Sequence, residues 1–334
     1  MIGSRPLAAP FEANHTGRVA RCYSEILTQA ERRWTALGVA HPTMAPAIAL
    51  QRLLVSELMA LLERLEDTPA MTPPSNPATM AAKLRRGLPA LRGEPIAVPV
   101  PALAPSLDRF CHYLADSGAG DVARHVIEIL ESGRMSRASL LSASLARDQR
   151  AIRMGATQMG LSPDVVWLIA ELATAPLAHI LQERLFGQEA EVSGSETLQS
   201  ARAEWDRGYC PACGSWPVLA EYVNEVRRLR CSFCGTSWEM QSRRCAYCGE
   251  GGAAFSICAA DEKHPEWLVE LCAQCGGYTK GVKVAASTPF LLLALQDLET
   301  FALDRIAADR GYGRPPLVDL GAEATYEPPR PCEQ

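Results

Sequence analysis

At 334 residues, 48% hydrophobic and 21% charged, the chain has the composition of a globular protein with room for more than one core. A net charge of -5 excludes a broad electrostatic attraction to nucleic acid or to an anionic membrane surface, since both need accumulated positive charge. The N-terminus holds no continuous apolar stretch of signal-peptide length. The longest apolar run elsewhere, "FLLLAL" at 290–295, is too short to span a bilayer, so a cytoplasmic location without a membrane partner is expected.

Residues 1–195 read as a mainly α-helical domain. Val19, Cys22, Tyr23, Ile26, Leu27, Ala30 and Leu37 recur at helical spacing, which makes Cys22 a small core side chain. Segment 45–66 does the same with Leu50, Leu53, Leu54, Leu58, Leu61, Leu62 and Leu65. Nine prolines between 69 and 105 predict an ordered long loop, because each lacks an amide donor and restricts its predecessor. Further helices are predicted near 106–116, 121–131, 136–152 and 163–186. The last opens on "LSPDV", with Ser162 as cap and Pro163 in the first helical position, and Pro176 is expected to kink it.

After a linker, "GQEAEVSGSE", a lead-in helix at about 196–206 precedes short β-type runs, "WPVLAEYV", "SWEM", "WLVEL" and "YTKGVKV". Helical periodicity returns at Phe290, Leu291, Ala294, Leu295, Leu298, Phe301, Ala302 and Ile306, ahead of a proline-rich tail carrying Cys332. The expected class is α+β: a helical domain (1–195), two tandem rubredoxin-like or zinc-ribbon-like modules (196–241 and 242–287), and a C-terminal helix with tail (288–334).

Eight of the twelve cysteines form four C-x-x-C pairs, each followed by glycine: Cys210 and Cys213, Cys231 and Cys234, Cys245 and Cys248, Cys272 and Cys275. In a reducing compartment such pairs point to metal or redox chemistry rather than disulfides. A tetrahedral ion needs sulfurs about 3.7 Å apart, from metal–sulfur bonds of roughly 2.3 Å. The C-x-x-C turn supplies that spacing, aims backbone amides at sulfur, and is closed by a glycine in the left-handed region. Gaps of 17, 10 and 23 residues leave room for a hairpin in the first and third. Sequential pairing into two four-cysteine sites follows, the first with the second pair and the third with the fourth; an interleaved arrangement stays open. Cys258 and His264 fall outside the pattern.

Four thiolates suit zinc and a rubredoxin-type iron equally. Arg227, Arg228, Arg230, Arg243 and Arg244 either offset the thiolate charge or line solvated strand edges. Residues 201–280 carry nine Lys plus Arg against ten Asp plus Glu, which weighs against a nucleic-acid ribbon. Four protein thiolates fill the tetrahedron, and the six histidines are scattered without ligand spacing, so no enzyme is expected. A scaffold with metal-stapled ribbons, a rubredoxin-like electron carrier and a nucleic-acid- or protein-binding zinc ribbon are the readings that the residues allow.

The order "GYCPACGSWPVLAEYV", "LRCSFCGTSWEMQSRRCAYCG", "LCAQCGGYTKGVKV" and "LQDLETFALDRIAADRGYGR", including Tyr278 to Lys280 and the acidic helix with Asp297 and Asp304, resembles the formate dehydrogenase accessory proteins known as FdhE. That resemblance implies a cytoplasmic maturation factor that binds the catalytic subunit of a respiratory formate dehydrogenase before its export. It also implies two rubredoxin-like iron ions, one per four-cysteine site, with zinc as the alternative and the eight paired cysteines as ligands. It leaves the oligomeric state unspecified.

Overall fold

The computed structural model describes residues 13–66, 68, 76–187, 195–240, 243–260 and 264–314, with residues 13–22 and Ser195 described by backbone alone. Cys332, and the side chain of Cys22 expected in the core, lie outside that description. Two compact units are distinguished, Met1–Ile48 and Ala49–Gln334. The first holds α1 (Ala13–Ala40), a 3-10 turn at Pro42–Met44 and the start of α2 (Ala45–Glu66), with Ala30, Trp34, Leu37 and Ile48 buried.

In the second unit, the rest of α2 buries Val55, Leu61, Leu62 and Leu65, while Leu53, placed on the apolar face by spacing alone, is 46% exposed. The proline-rich stretch is not one loop. It contains α3 (Pro77–Arg85), started by Asn76, whose side chain accepts from the Thr79 amide at 2.9 Å, with Pro77 where a missing amide costs nothing. The next helix, α4 (Val100–Ala115), begins earlier than expected and carries Pro105 inside it.

Helix α5 spans Gly120–Glu131. The predicted helix 136–152 is split into α6 (Arg137–Leu145) and α7 (Gln149–Gln158). Arg147 stands between them with φ 58°, and Asp148 caps α7 by accepting from the Ala151 amide at 2.9 Å. Helix α8 (Pro163–Phe186) runs through Pro176 and packs against α4, α5, α6 and α7. Pro163 takes the first turn as expected, but the Ser162 side chain makes no cap. Helix α9 (Ser195–Ala203) packs on α3.

Two helices, Pro42–Glu66 and Pro163–Phe186, are long and apolar enough to cross a membrane by length and composition. Neither contains an unbroken apolar run of that length, because polar residues interrupt both. In α8 most of the apolar window, 61%, is buried within the protein, which a core helix also requires.

Six strands follow: β1 (Pro217–Val223), β2 (Val226–Cys231), β3 (Ser237–Trp238), β4 (Phe255–Ala259), β5 (Trp267–Cys272) and β6 (Gly277–Val284). Asn224 and Glu225, at φ 50° and 63°, make the two-residue turn joining β1 to β2, the arrangement whose twist matches a hairpin. The two ribbons are not separate beads. Their strands form one sheet in the order β3-β2-β1-β6-β5-β4, joined where β1 runs parallel to β6 from Ala220 opposite Gly281 to Val223 opposite Val284.

Buried ion pairs reinforce the join. Arg227 on β2 reaches past two strands to Glu270 on β5, at 2.5 and 2.7 Å, and the Tyr222 hydroxyl donates to the same carboxylate at 2.7 Å. Arg230 pairs with Glu221 at 2.5 Å and donates to the Thr288 carbonyl at 2.8 Å. The C-terminal helix is also two: a 3-10 turn at Phe290–Leu292 leads into α10 (Leu293–Glu299), and α11 (Phe301–Asp309) starts after a break at Thr300. One apolar cluster runs from Leu61 of α2 through α8 to Cys272 of β5, so helices and ribbons share a core.

Candidate metal centres

Each cysteine turn is built by the same local chemistry. The Gly214, Gly249 and Gly276 amides donate to the Cys210, Cys245 and Cys272 carbonyls at 2.9, 3.1 and 2.9 Å. The Cys210, Cys231 and Cys245 amides donate forward to the Ser215, Thr236 and Glu250 carbonyls at 2.9, 2.9 and 2.8 Å. All four closing glycines, Gly214, Gly235, Gly249 and Gly276, sit in the left-handed region, with φ of 87°, 75°, 78° and 66°.

A side chain there costs about 1–2 kcal/mol of backbone strain. At Gly249 an added Cβ meets open space, whereas at Gly235 it would stand 2.7 Å from Cδ2 of Phe290. Gly249→Ala should therefore lose about 1–2 kcal/mol in a denaturant titration and Gly235→Ala clearly more. Equal losses would mean that Phe290 does not press on the second turn.

The turns bring the eight thiols into two quartets, Cys210 with Cys213, Cys231 and Cys234, and Cys245 with Cys248, Cys272 and Cys275. This is the sequential grouping, not the interleaved one. In the first quartet Cys210 lies 3.6 Å from Cys234, and Cys213 lies 3.5 Å from Cys231 and 3.6 Å from Cys234, sulfur to sulfur. In the second, Cys245 is 3.7 Å from Cys275 and Cys248 is 3.5 Å from Cys272. These separations match the edge of a tetrahedron around one ion, about 3.7 Å, and all eight thiols are free. Backbone amides point at sulfur: Phe233 and Cys234 donate to Cys231 at 3.3 and 3.4 Å, and Tyr247 donates to Cys245 at 3.4 Å.

Burial pushes the Cys231 and Cys234 thiols well up, and Cys248 up to about 12. Burial acts on Cys213 in the same sense, but hydrogen bonds from Cys210, Cys231 and Cys234 outweigh it and hold Cys213 below its ordinary value. At the thiols that burial raises, a soft cation must displace a proton to bind. The donor set and spacing fit such a cation at both places.

The first quartet is embedded in the helical region. Ala90 and Leu91 amides, from the loop after α3, donate to the Pro211 and Ala212 carbonyls at 2.8 and 2.9 Å. Burial lowers the pKa of His179 of α8, and its Nδ1 donates to the Cys234 carbonyl at 3.0 Å. The Arg147 guanidinium lies 4.2 Å from the Phe233 ring and 4.5 Å from Trp167, paired with Glu171 at 2.6 Å. Spacing and composition carry no signal for these contacts, which come from distant segments.

Of the five arginines singled out in the sequence, four are paired with carboxylates. Arg227 and Arg230 are buried with Glu270 and Glu221, Arg228 pairs with Glu239, and Arg244 pairs with Asp206. Cys258 lies on β4, and His264 stacks on Trp267 beside Glu266, so neither stands in a quartet.

Fold and site together define a class: a helical protein whose sheet of two fused ribbons carries a pair of four-thiol centres suited to metal. No protein-family model matches the chain. It is similar to the FdhE homolog of Shewanella baltica strain OS185, 33% identical over 115 residues, which are 33% of this chain and 38% of that one. It is likewise similar to the FdhE protein of Escherichia coli O127:H6, 32% identical over 120 residues, 34% of this chain and 38% of that one. The matched stretch thus spans little more than a third of these curated relatives. The crystal structure of the FdhE protein from Pseudomonas aeruginosa shares the fold, with a TM-score of 0.56 at 23% identity over 85% of this chain and 92% of that one.

Proposed function

We propose that this chain is a cytoplasmic maturation factor for formate dehydrogenase, binding the catalytic subunit of the enzyme before its export. The observation that carries the reading is the pair of cysteine quartets in a chain that is similar in sequence to FdhE proteins and shares the fold of one. In this reading Cys210, Cys213, Cys231 and Cys234 hold one iron ion, Cys245, Cys248, Cys272 and Cys275 hold the second, and zinc is the alternative. The ion supplies a fixed tetrahedral anchor with no open position, which suits a binding protein rather than an enzyme. The chain's own part is to present a rigid ribbon face: the glycine-closed turns fix the sulfurs, and the sheet joined through β1 and β6 fixes one ribbon against the other. The segments 1–195, 196–241, 242–287 and 288–334 are proposed as units of construction; one apolar cluster joins helices of the first to both ribbons, and Leu303 and Ala307 of the last pack in a separate cluster with Val269, Leu271 and Tyr278.

Purification of the intact chain from its native cells should recover the immature catalytic subunit of formate dehydrogenase. Recovery of no such subunit, from a preparation with both quartets filled, contradicts the reading. The electron-carrier alternative draws on the half-buried Cys248 and Cys275, because electron exchange needs a metal near the surface. It requires iron in at least one quartet and a reversible absorption change on reduction.

A further inference from the structure

The two quartets share one local design and differ in what surrounds them. In the first, all four thiols are at most 4% exposed, and α8, the loop after α3 and the Arg147 side chain close around the turns. In the second, Cys248 and Cys275 are half-buried, and both closing glycines, Gly249 and Gly276, face open space. Metal leaves a thiolate site by attack of an incoming ligand, so sulfur exposed at the surface sets the rate. The first quartet is closed to such an approach by burial of all four residues, whereas two of the four cysteines of the second are only half-buried.

A short strap crosses the last turn of the second quartet. Gly313 donates its amide to the Gly276 carbonyl at 2.9 Å and accepts from the Tyr278 amide at 3.2 Å, a one-rung parallel bridge with Gly277. The next residue, Arg314, locks it. Its Nη2 lies 2.6 Å from Oδ1 of Asp297 and 3.0 Å from Oδ1 of Asp304, and its Nε lies 3.4 Å from the Tyr278 hydroxyl. The carboxylates are held from the other side by Lys280, whose side chain is fully buried, at 2.6 and 2.9 Å. Two cations and two anions balance in this cluster, and Arg314, 39% exposed, is the member that can swing away.

We infer that the second quartet is an exchangeable metal site, open to thiol or chelator ligands, and that the Gly313–Arg314 strap is its closure, while the first quartet releases its ion far more slowly. This rests on the reading of both quartets as metal sites. The strap supports the Cys272–Cys275 turn through its backbone, and the Arg314 latch sets how long it stays down.

The test uses the full chain with both sites filled with zinc, challenged with the chromophoric chelator 4-(2-pyridylazo)resorcinol. Two release phases are expected, each of one ion per chain. Alkylation followed by mass spectrometry should mark Cys248 and Cys275 during the fast phase and Cys213 and Cys231 only in the slow one. Arg314→Ala should speed the fast phase by about tenfold and leave the slow phase unchanged, and Arg314→Lys should restore most of the difference. A single phase for both ions, early labelling of Cys213, or an Arg314→Ala effect shared by both phases overturns the inference while leaving the metal reading intact. A chain that binds no zinc overturns both.

Discussion

Cys231→Ser is expected to remove one metal ion per chain, leave the other in place, and lower the unfolding free energy by on the order of 4–5 kcal/mol or more. Cys231 is 1% exposed, lies 3.5 Å from Cys213, and accepts amide hydrogen bonds from Phe233 and Cys234. Serine offers a shorter, harder donor that does not replace thiolate at a soft tetrahedral ion, and it leaves a buried hydroxyl among three thiols. The damage should not stop at the ribbon. Pro211 and Ala212 anchor the loop after α3, and Cys234 anchors His179 of α8, so release of the ion loosens three segments at once. Metal content by elemental analysis, with denaturant unfolding of the same sample, checks both parts; two ions retained would show that Cys231 is not a ligand.

Glu270→Ala should cost about 3–5 kcal/mol with metal content unchanged. The substitution strands the Arg227 guanidinium, 6% exposed, inside the sheet and takes the acceptor from Tyr222. The cost comes from an uncompensated buried charge rather than from the intrinsic worth of the pair. Replacing both partners, as Arg227→Met with Glu270→Leu, should therefore recover most of the loss. If the single substitution is neutral, the pair does not bind the ribbons together; if the double is as damaging as the single, the loss lies in packing instead. Unfolding midpoints of the three variants, each carrying two ions per chain, decide the matter.

The quartets are legible in the sequence because the chemistry is local: two sulfurs three positions apart and a glycine to close the turn fix most of the geometry within five residues. The gap lengths favour the sequential grouping, because the first and third intervals have the most room for a hairpin, but they leave the interleaved one open until the structure brings the sulfurs together. Strand β2 is hidden for the opposite reason. Its sequence, "VRRLRC", reads as a charged edge, and the structure buries Arg227 and Arg230 against carboxylates contributed by β5 and β1. No periodicity in one strand reports a partner on another.

Other departures have local causes that a single apolar period does not detect. Helix α3 carries a readable start, Asn76 with Pro77, but the density of prolines around it argues for loop. The break between α6 and α7 depends on one left-handed residue, Arg147, followed by the Asp148 cap. That break turns Arg147 back toward Trp167 and Phe233, so a local irregularity in the helical region becomes a contact with the first quartet. The fusion of the two ribbons through β1 and β6 joins strands more than fifty residues apart in sequence, beyond the reach of any motif.

The central claim is that each quartet encloses one ion with four sulfur ligands. X-ray absorption spectroscopy combined with elemental analysis, on protein purified from its own host without added metal, tests it most directly. Two ions per chain, each with four sulfur neighbours at about 2.3 Å, is the predicted result. Fewer than two ions, or nitrogen and oxygen in the coordination shell, would contradict it.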